Sequence, residues 1–227
     1  RDIQIHPVTN DLILATHGRG IIIVDNITSM RNMTKELAAK DVVVFNSKPI
    51  NLTMGKHYIG SGNGDGYIGT NSSQQAQIEY YFKDRISRGE VKVDIYDKEG
   101  KLLQSIPGSK RKGINIVNWN MRGTPPKVAS GSTKLDFGGF IAPMVLPGQY
   151  TVKLKVADKT YENKITMQRD PNSDMTLADM EDQYNTAMQL YNMHERLGRL
   201  VDSISTKQKT LQPVIGKLKN AKVKKMV

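Results

Sequence analysis

The sequence predicts a mainly β chain that ends in a C-terminal α-helical hairpin, and three observations carry that prediction. Apolar residues alternate with a period of two in short segments between Ala76 and Gln168, and no crossover helices separate those strands. After Asp170-Pro171 the apolar spacing changes to three and four, the period of a helix. The expected order is an incomplete N-terminal sheet, an antiparallel β-sandwich and a helical hairpin.

Residues 1–45 open with Ile3-Gln4-Ile5, a turn over Pro7 to Asp11, the run Leu12-Ile13-Leu14-Ala15, the Gly18-Arg19-Gly20 turn and Ile21-Ile22-Ile23-Val24. Three or four strands cannot enclose a core alone, so this ribbon is expected to need further sheet. The start, Arg1-Asp2-Ile3, already alternates like a strand and has neither a Met nor an apolar leader. The chain is therefore expected to begin inside a longer protein. Thr28 to Lys40 predicts one short helix capped by Thr28 or Ser29, and Val42-Val43-Val44-Phe45 a return to strand.

Residues 46–75, rich in glycine around Gly60-Ser61-Gly62-Asn63-Gly64-Asp65-Gly66, read as a linker loop. Residues 76–170 then supply six strands: 76–82, 91–96, 102–106, 113–121, 148–157 and 160–168. Trp119, the only tryptophan, is expected to anchor the sandwich core, with ligand stacking as the alternative. Residues 122–146, with Pro125-Pro126 and Gly138-Gly139, form a second long loop suited to a partner or ligand. In residues 171–227, Asp174 or Thr176 caps a first helix with Leu177, Met180, Tyr184, Met188, Tyr191 and Leu197 on one face. A second follows over Ile204 to Leu218, weakened by Pro213 and Gly216.

Composition removes several chemistries. There is no cysteine, hence no disulfide, thiolate metal site or Cys nucleophile. The histidines His6, His17, His57 and His194 lack zinc-site spacing. No stretch nears the roughly 18 apolar residues of a membrane span. The formal net charge is +11, but residues 203–227 hold seven Lys and no acid. Charge gathered at one end, without interleaved aromatics, argues against nucleic acid and leaves contact with a polyanion as an alternative.

The glycine run lacks the Lys-Ser/Thr of a phosphate loop, and no Gly-x-Ser-x-Gly elbow occurs. His17-Gly18-Arg19-Gly20 is the most site-like cluster, although two glycines around an Arg also describe a tight turn. Glu79, Tyr80, Tyr81 and Asp84 hold the groups a glycosidase uses, yet alternation sends Glu79 and Tyr81 to the face opposite Tyr80 and no arginine cluster accompanies them. No catalytic, metal or cofactor residue is assigned.

The series Ile5-His6-Pro7, Asn10-Asp11-Leu12, Thr16-His17-Gly18-Arg19-Gly20-Ile21 and Val24-Asp25 resembles the final blade of sortilin-like, BNR-repeat β-propeller proteins of the Bacteroidetes type, often named glycosyl hydrolase or sialidase-like. Gly100-Lys101-Leu102, Gly113-Ile114-Asn115, Val117 to Arg122 and Leu146-Pro147-Gly148-Gln149-Tyr150-Thr151-Val152 resemble that family's immunoglobulin- or fibronectin-III-like C-terminal module. No Asp-box repeat occurs here. The resemblance implies a non-catalytic binding or scaffolding region of a secreted, periplasmic or cell-surface protein. It implies as partners the upstream propeller and other envelope or outer-membrane proteins. His17, Arg19, Trp119, Arg122 and Tyr150 are the candidate contact residues. The alternative function is the accessory region of a propeller glycosidase or a peptidase-associated enzyme.

Overall fold

A computed structural model describes residues 2–53, 75–129 and 140–217, and divides the chain into two compact units. The first holds residues 1–121 and 147–173; the second holds 122–146 and 174–227. The expected glycine linker and Gly138-Gly139 fall mainly or wholly outside the described residues, as does the last part of the Lys-rich end. The chain is mainly β with a long C-terminal helix.

The first unit begins with an antiparallel meander of β1 (Asp2–Ile5), β2 (Leu12–Ala15) and β3 (Ile21–Val24), in which Ile3 faces Leu14 and Leu14 faces Ile22. Asn10, at φ +61°, turns the chain between β1 and β2. Gly18 (φ +83°) and Gly20 (φ +73°) do so between β2 and β3, where the Thr16 N–H and hydroxyl both donate to the Gly20 carbonyl. Among the described residues, neither face of this sheet is covered as a core would be. Ile3 is 68 %, Ile21 71 % and Ile23 59 % exposed.

Instead of one helix over Thr28–Lys40 there are two, α1 (Thr28–Arg31) and α2 (Lys35–Ala39). The break has a local cause: Thr34 is extended and its hydroxyl accepts from the Leu37 N–H, so it caps a new helix rather than continuing the old one.

The remaining strands form two sheets. One has the order β4 (Val42–Val44), β6 (Ala76–Phe82), β9 (Gly113–Trp119). The other has the order β5 (Ile50–Leu52), β11 (Lys159–Arg169), β10 (Gly148–Val156), β7 (Val91–Tyr96), β8 (Leu102–Pro107). All pairings are antiparallel except β5 with β11. Two boundaries of the sequence reading move as a result. Val42–Val44, grouped with the N-terminal ribbon, pairs with β6, and Ile50–Leu52, placed in the linker, adds an edge strand to β11.

Alternation buries Ile78, Tyr80 and Phe82 on β6, Val93 and Ile95 on β7, and Val152 and Leu154 on β10. Trp119 of β9 and Tyr150 of β10 belong to different sheets, yet their rings meet edge to face at 5.6 Å and 62°. Tyr80 and Phe82 make a second such pair at 5.1 Å. The sheets are also stitched at their edges. The Asn163 side chain on β11 donates to the carbonyls of Val44 and Phe45, and the Tyr80 hydroxyl donates to the Ser109 carbonyl beyond β8.

A charged group is buried within the larger sheet. Asp94 is only 2 % exposed and accepts from Lys155 Nζ at 2.7 Å and Ser105 Oγ at 2.5 Å. Burial opposes its ionisation, but these bonds and the charges of Lys155 and Lys92 outweigh burial and lower its pKa.

In the second unit, Thr176 and Asp179 exchange reciprocal hydrogen bonds and start α3 (Leu177–Lys217). The expected helical hairpin is one helix of 41 residues, about 60 Å long. The chain from Leu197 to Ser203 contains no turn signal beyond Gly198, and the helix continues through Pro213, whose missing N–H removes one backbone hydrogen bond without ending it.

Trp119 is 0 % exposed. Trp119→Ala is expected to destabilise the first unit by about 3–5 kcal/mol, read as a lowered urea midpoint in tryptophan-independent far-UV dichroism.

Candidate functional site

The first unit contains a cleft of about 350 Å³ whose lining includes Thr9, Asp11, Asp25, Lys48, Gln77 and Glu79. Its residues come from the turns that follow β1 and β3, the segment before β5, and β6. Two of its polar contacts tie the N-terminal meander to the segments that follow it. The Asn26 amide donates to Glu79 Oε1 at 3.2 Å, and Lys48 Nζ donates to the Val8 carbonyl at 2.8 Å. Asp11 accepts from the Thr9 hydroxyl (2.6 Å) and the Asn26 N–H (2.8 Å), which lower its pKa. Asn26, at φ +47°, also accepts from the Thr28 hydroxyl, and Thr28 in turn accepts from Asn10.

Glu79 is the chemically unusual member. It lies on the outward face of β6, yet is only 6 % exposed because the segment around the buried Ile27 and Ser29 covers it. Burial raises its pKa above the ordinary 4.5, against the effect of a hydrogen bond with Ser29. A carboxyl clamped between Asn26 and Ser29 is a structural acceptor. Tyr80 is buried in the core and Tyr81 donates to the Ala38 carbonyl, so the candidate glycosidase groups on β6 are engaged in packing. Among the described residues, no group of three or more His, Asp or Glu is placed to hold a metal ion.

His17 and Arg19 are exposed in the β2–β3 turn, with His17 at the margin of a shallow hollow beside Asp2, Ile3 and Leu14. Trp119 and Tyr150 are brought together, but in the core: at 0 % and 8 % exposure they are packing partners, and the ligand-stacking alternative for Trp119 is ruled out by its burial. Arg122 belongs to the second unit, where its guanidinium donates to the Ala142 carbonyl at 2.7 Å and its backbone bridges Met144. Burial lowers its pKa without removing its charge.

The loop after Arg122 meets a prepared face of α3. The Lys127 N–H donates to the Glu195 carboxylate, Lys127 Nζ pairs with Asp202, and the Tyr191 hydroxyl donates to the Thr124 carbonyl. Tyr191, Glu195, Gly198 and Asp202 follow one another on a single helical stripe. Gly198 is buried, and a Cβ there would stand 2.6 Å from the Lys127 carbonyl oxygen. Sequence reading passed over Gly198; its signal was a glycine inside a helix, flanked at helical spacing by Tyr, Glu and Asp. The Lys127 N–H and the Arg199 guanidinium lower the Glu195 pKa.

No family model matches the chain, and no curated protein matches it. Among solved structures, CopC from Methylosinus trichosporium OB3b is similar over 44 % of this chain and 80 % of its own, at 17 % identity and a TM-score of 0.25. An overlap that small bears on neither fold nor ligand.

Two outcomes follow. Because the folded-state pKa of Glu79 is raised, its favourable contribution is complete below about pH 4.5 and is lost as pH rises through the folded-state value. Glu79→Gln is therefore expected to melt higher than the parent at pH 7–8 and to converge with it near pH 4, measured by thermal melts across pH. Gly198→Ala is expected to speed proteolysis within 122–129 while the helical dichroism holds or rises, since alanine is the better helix former by about 1 kcal/mol.

Proposed function

We propose that this chain is a non-catalytic binding and assembly region of a secreted or cell-surface β-propeller protein, in which β1–β3 are blade strands that further blades cover. The observation that carries the reading is the meander itself. Ile3, Ile21, Ile22, Ile23 and Val24 are each at least 40 % exposed, an apolar density that elsewhere in the chain is found in cores. Both faces are apolar, as in a sheet stacked between two others. The polar ties from Asn26 to Glu79 and from Lys48 to Val8 then make the junction between blade and C-terminal sheets firm, so the sheets brace the blade.

The two packed sheets fit an immunoglobulin- or fibronectin-III-like module in this reading, with β5 as an added parallel edge. Support for a non-catalytic role comes from how the candidate groups are used: Glu79 and Tyr81 in hydrogen bonds that fasten neighbouring segments, Tyr80 and Trp119 in the core. The extracytoplasmic location and envelope partners come from the sequence resemblance.

Hydrogen exchange on the 227-residue chain alone tests the reading. Amides of β1 and β3 are expected to exchange at least about a hundredfold faster than those of β6, β7 and β10. Equal protection would show a sheet already complete without further blades and would overturn the proposal.

A further inference from the structure

The face of α3 opposite the 122–129 strap is open and carries a heptad pattern. Leu190, Met193, Leu197, Leu200, Ile204 and Leu211 are 44–66 % exposed, at spacings of three, four, three, four and seven. These are alternating a and d positions, the pattern of a helix that packs lengthwise against another helix. On the strap side, Tyr184, Tyr191, Gly198 and Ser205 are at least partly covered, again seven residues apart. The helix is two-sided, and among the described residues only one side is occupied by its own chain.

Charge selects the occupant. The first part of α3, Leu177 to Met193, contains Asp179, Glu181 and Asp182 and no Lys or Arg; the last part, Ser203 to Lys217, contains Lys207, Lys209 and Lys217 and no acid. We propose that α3 pairs with α3 of a second copy, antiparallel, along this seam. In that orientation each acidic end lies over the other copy's basic end. Lys207, which holds the seam position between Ile204 and Leu211, decides both direction and register. In a parallel pair it would meet its own copy. In the antiparallel register that sets Leu190 against Leu200 and Met193 against Leu197, Lys207 falls opposite Gln183 and beside Asp182. Four layers of Leu and Met then form the centre, flanked at each end by Ile204 against Thr186. The inference rests on α3 alone and stands apart from the reading of β1–β3.

Sedimentation of the 227-residue chain over about 1–300 µM is expected to show a reversible monomer–dimer equilibrium with Kd of about 1–100 µM. Leu197→Gln combined with Leu200→Gln is expected to weaken association at least about tenfold with unchanged far-UV dichroism, because both residues are exposed in the single chain. Asp182→Lys and Lys207→Asp are each expected to weaken it about two- to tenfold, and the two together to restore it. A monomer throughout the range would overturn the proposal, and would leave a helix from another protein as the occupant. Association that survives the seam substitutions, or a double exchange that fails to restore pairing, would overturn it as well.

Discussion

The edge-to-face contact between Trp119 and Tyr150 is the constraint on which the first unit depends, since it joins β9 of one sheet to β10 of the other. Two sheets so joined must turn their apolar rows toward each other, and every strand register then follows from which residues are removed from water. The buried polar residues Asp94, Asn115 and Glu79 each have a partner: Asp94 with Lys155 and Ser105, Asn115 with the carbonyls of Arg111 and Gly113, Glu79 with Asn26. The ties of Asp94 and Glu79 cross between strands or segments, whereas those of Asn115 are local to the start of β9. The apolar interior sets the arrangement, and the buried polar groups fix its edges and coverings.

Most strands between Ala76 and Arg169 were legible, because long runs such as Gln77 to Phe82 and Gln149 to Val156 alternate cleanly and end at turn residues. Shorter signals failed for physical reasons. Ile50-Asn51-Leu52 is three residues long and follows Pro49, so no period can be seen in it, and its pairing with β11 is non-local. The break at Asn32–Thr34 depends on one hydroxyl capping one N–H, which competes closely with helix continuation. The long helix was read as two because the three-to-four apolar spacing is less clean from Ile204 onward, whereas propagation along an existing helix costs far less than starting one.

The site residues divide along the same line. Trp119 was expected in the core because a large aromatic in mid-strand belongs there, and Tyr150, named as a contact residue, proved to be its partner in that core. Glu79 was assigned its outward face correctly, but its burial was not foreseeable: the cover comes from residues 26–29, far away in sequence, and strand periodicity carries no trace of it. Among the described residues, rows of exposed apolar side chains include the β1–β3 meander and the outer seam of α3. The two belong to different units and differ in chemistry. One is β-branched on both faces of a sheet, the other Leu- and Met-rich along a single helical line.

The pairing of β5 with β11 bears on how the first unit carries a mechanical load. β5 lies early in the two-sheet body, β11 is its last strand, and they run in the same direction with Ile50, Asn51 and Leu52 beside Met167, Gln168 and Arg169. Tension that draws β5 back along the chain and β11 forward slides the two strands past each other. Hydrogen bonds in that shear geometry share the force and must rupture together, whereas a hairpin pulled from its open end peels one bond at a time. A body anchored at both ends in this way resists stretching between its neighbours better than its modest edge pairing would suggest.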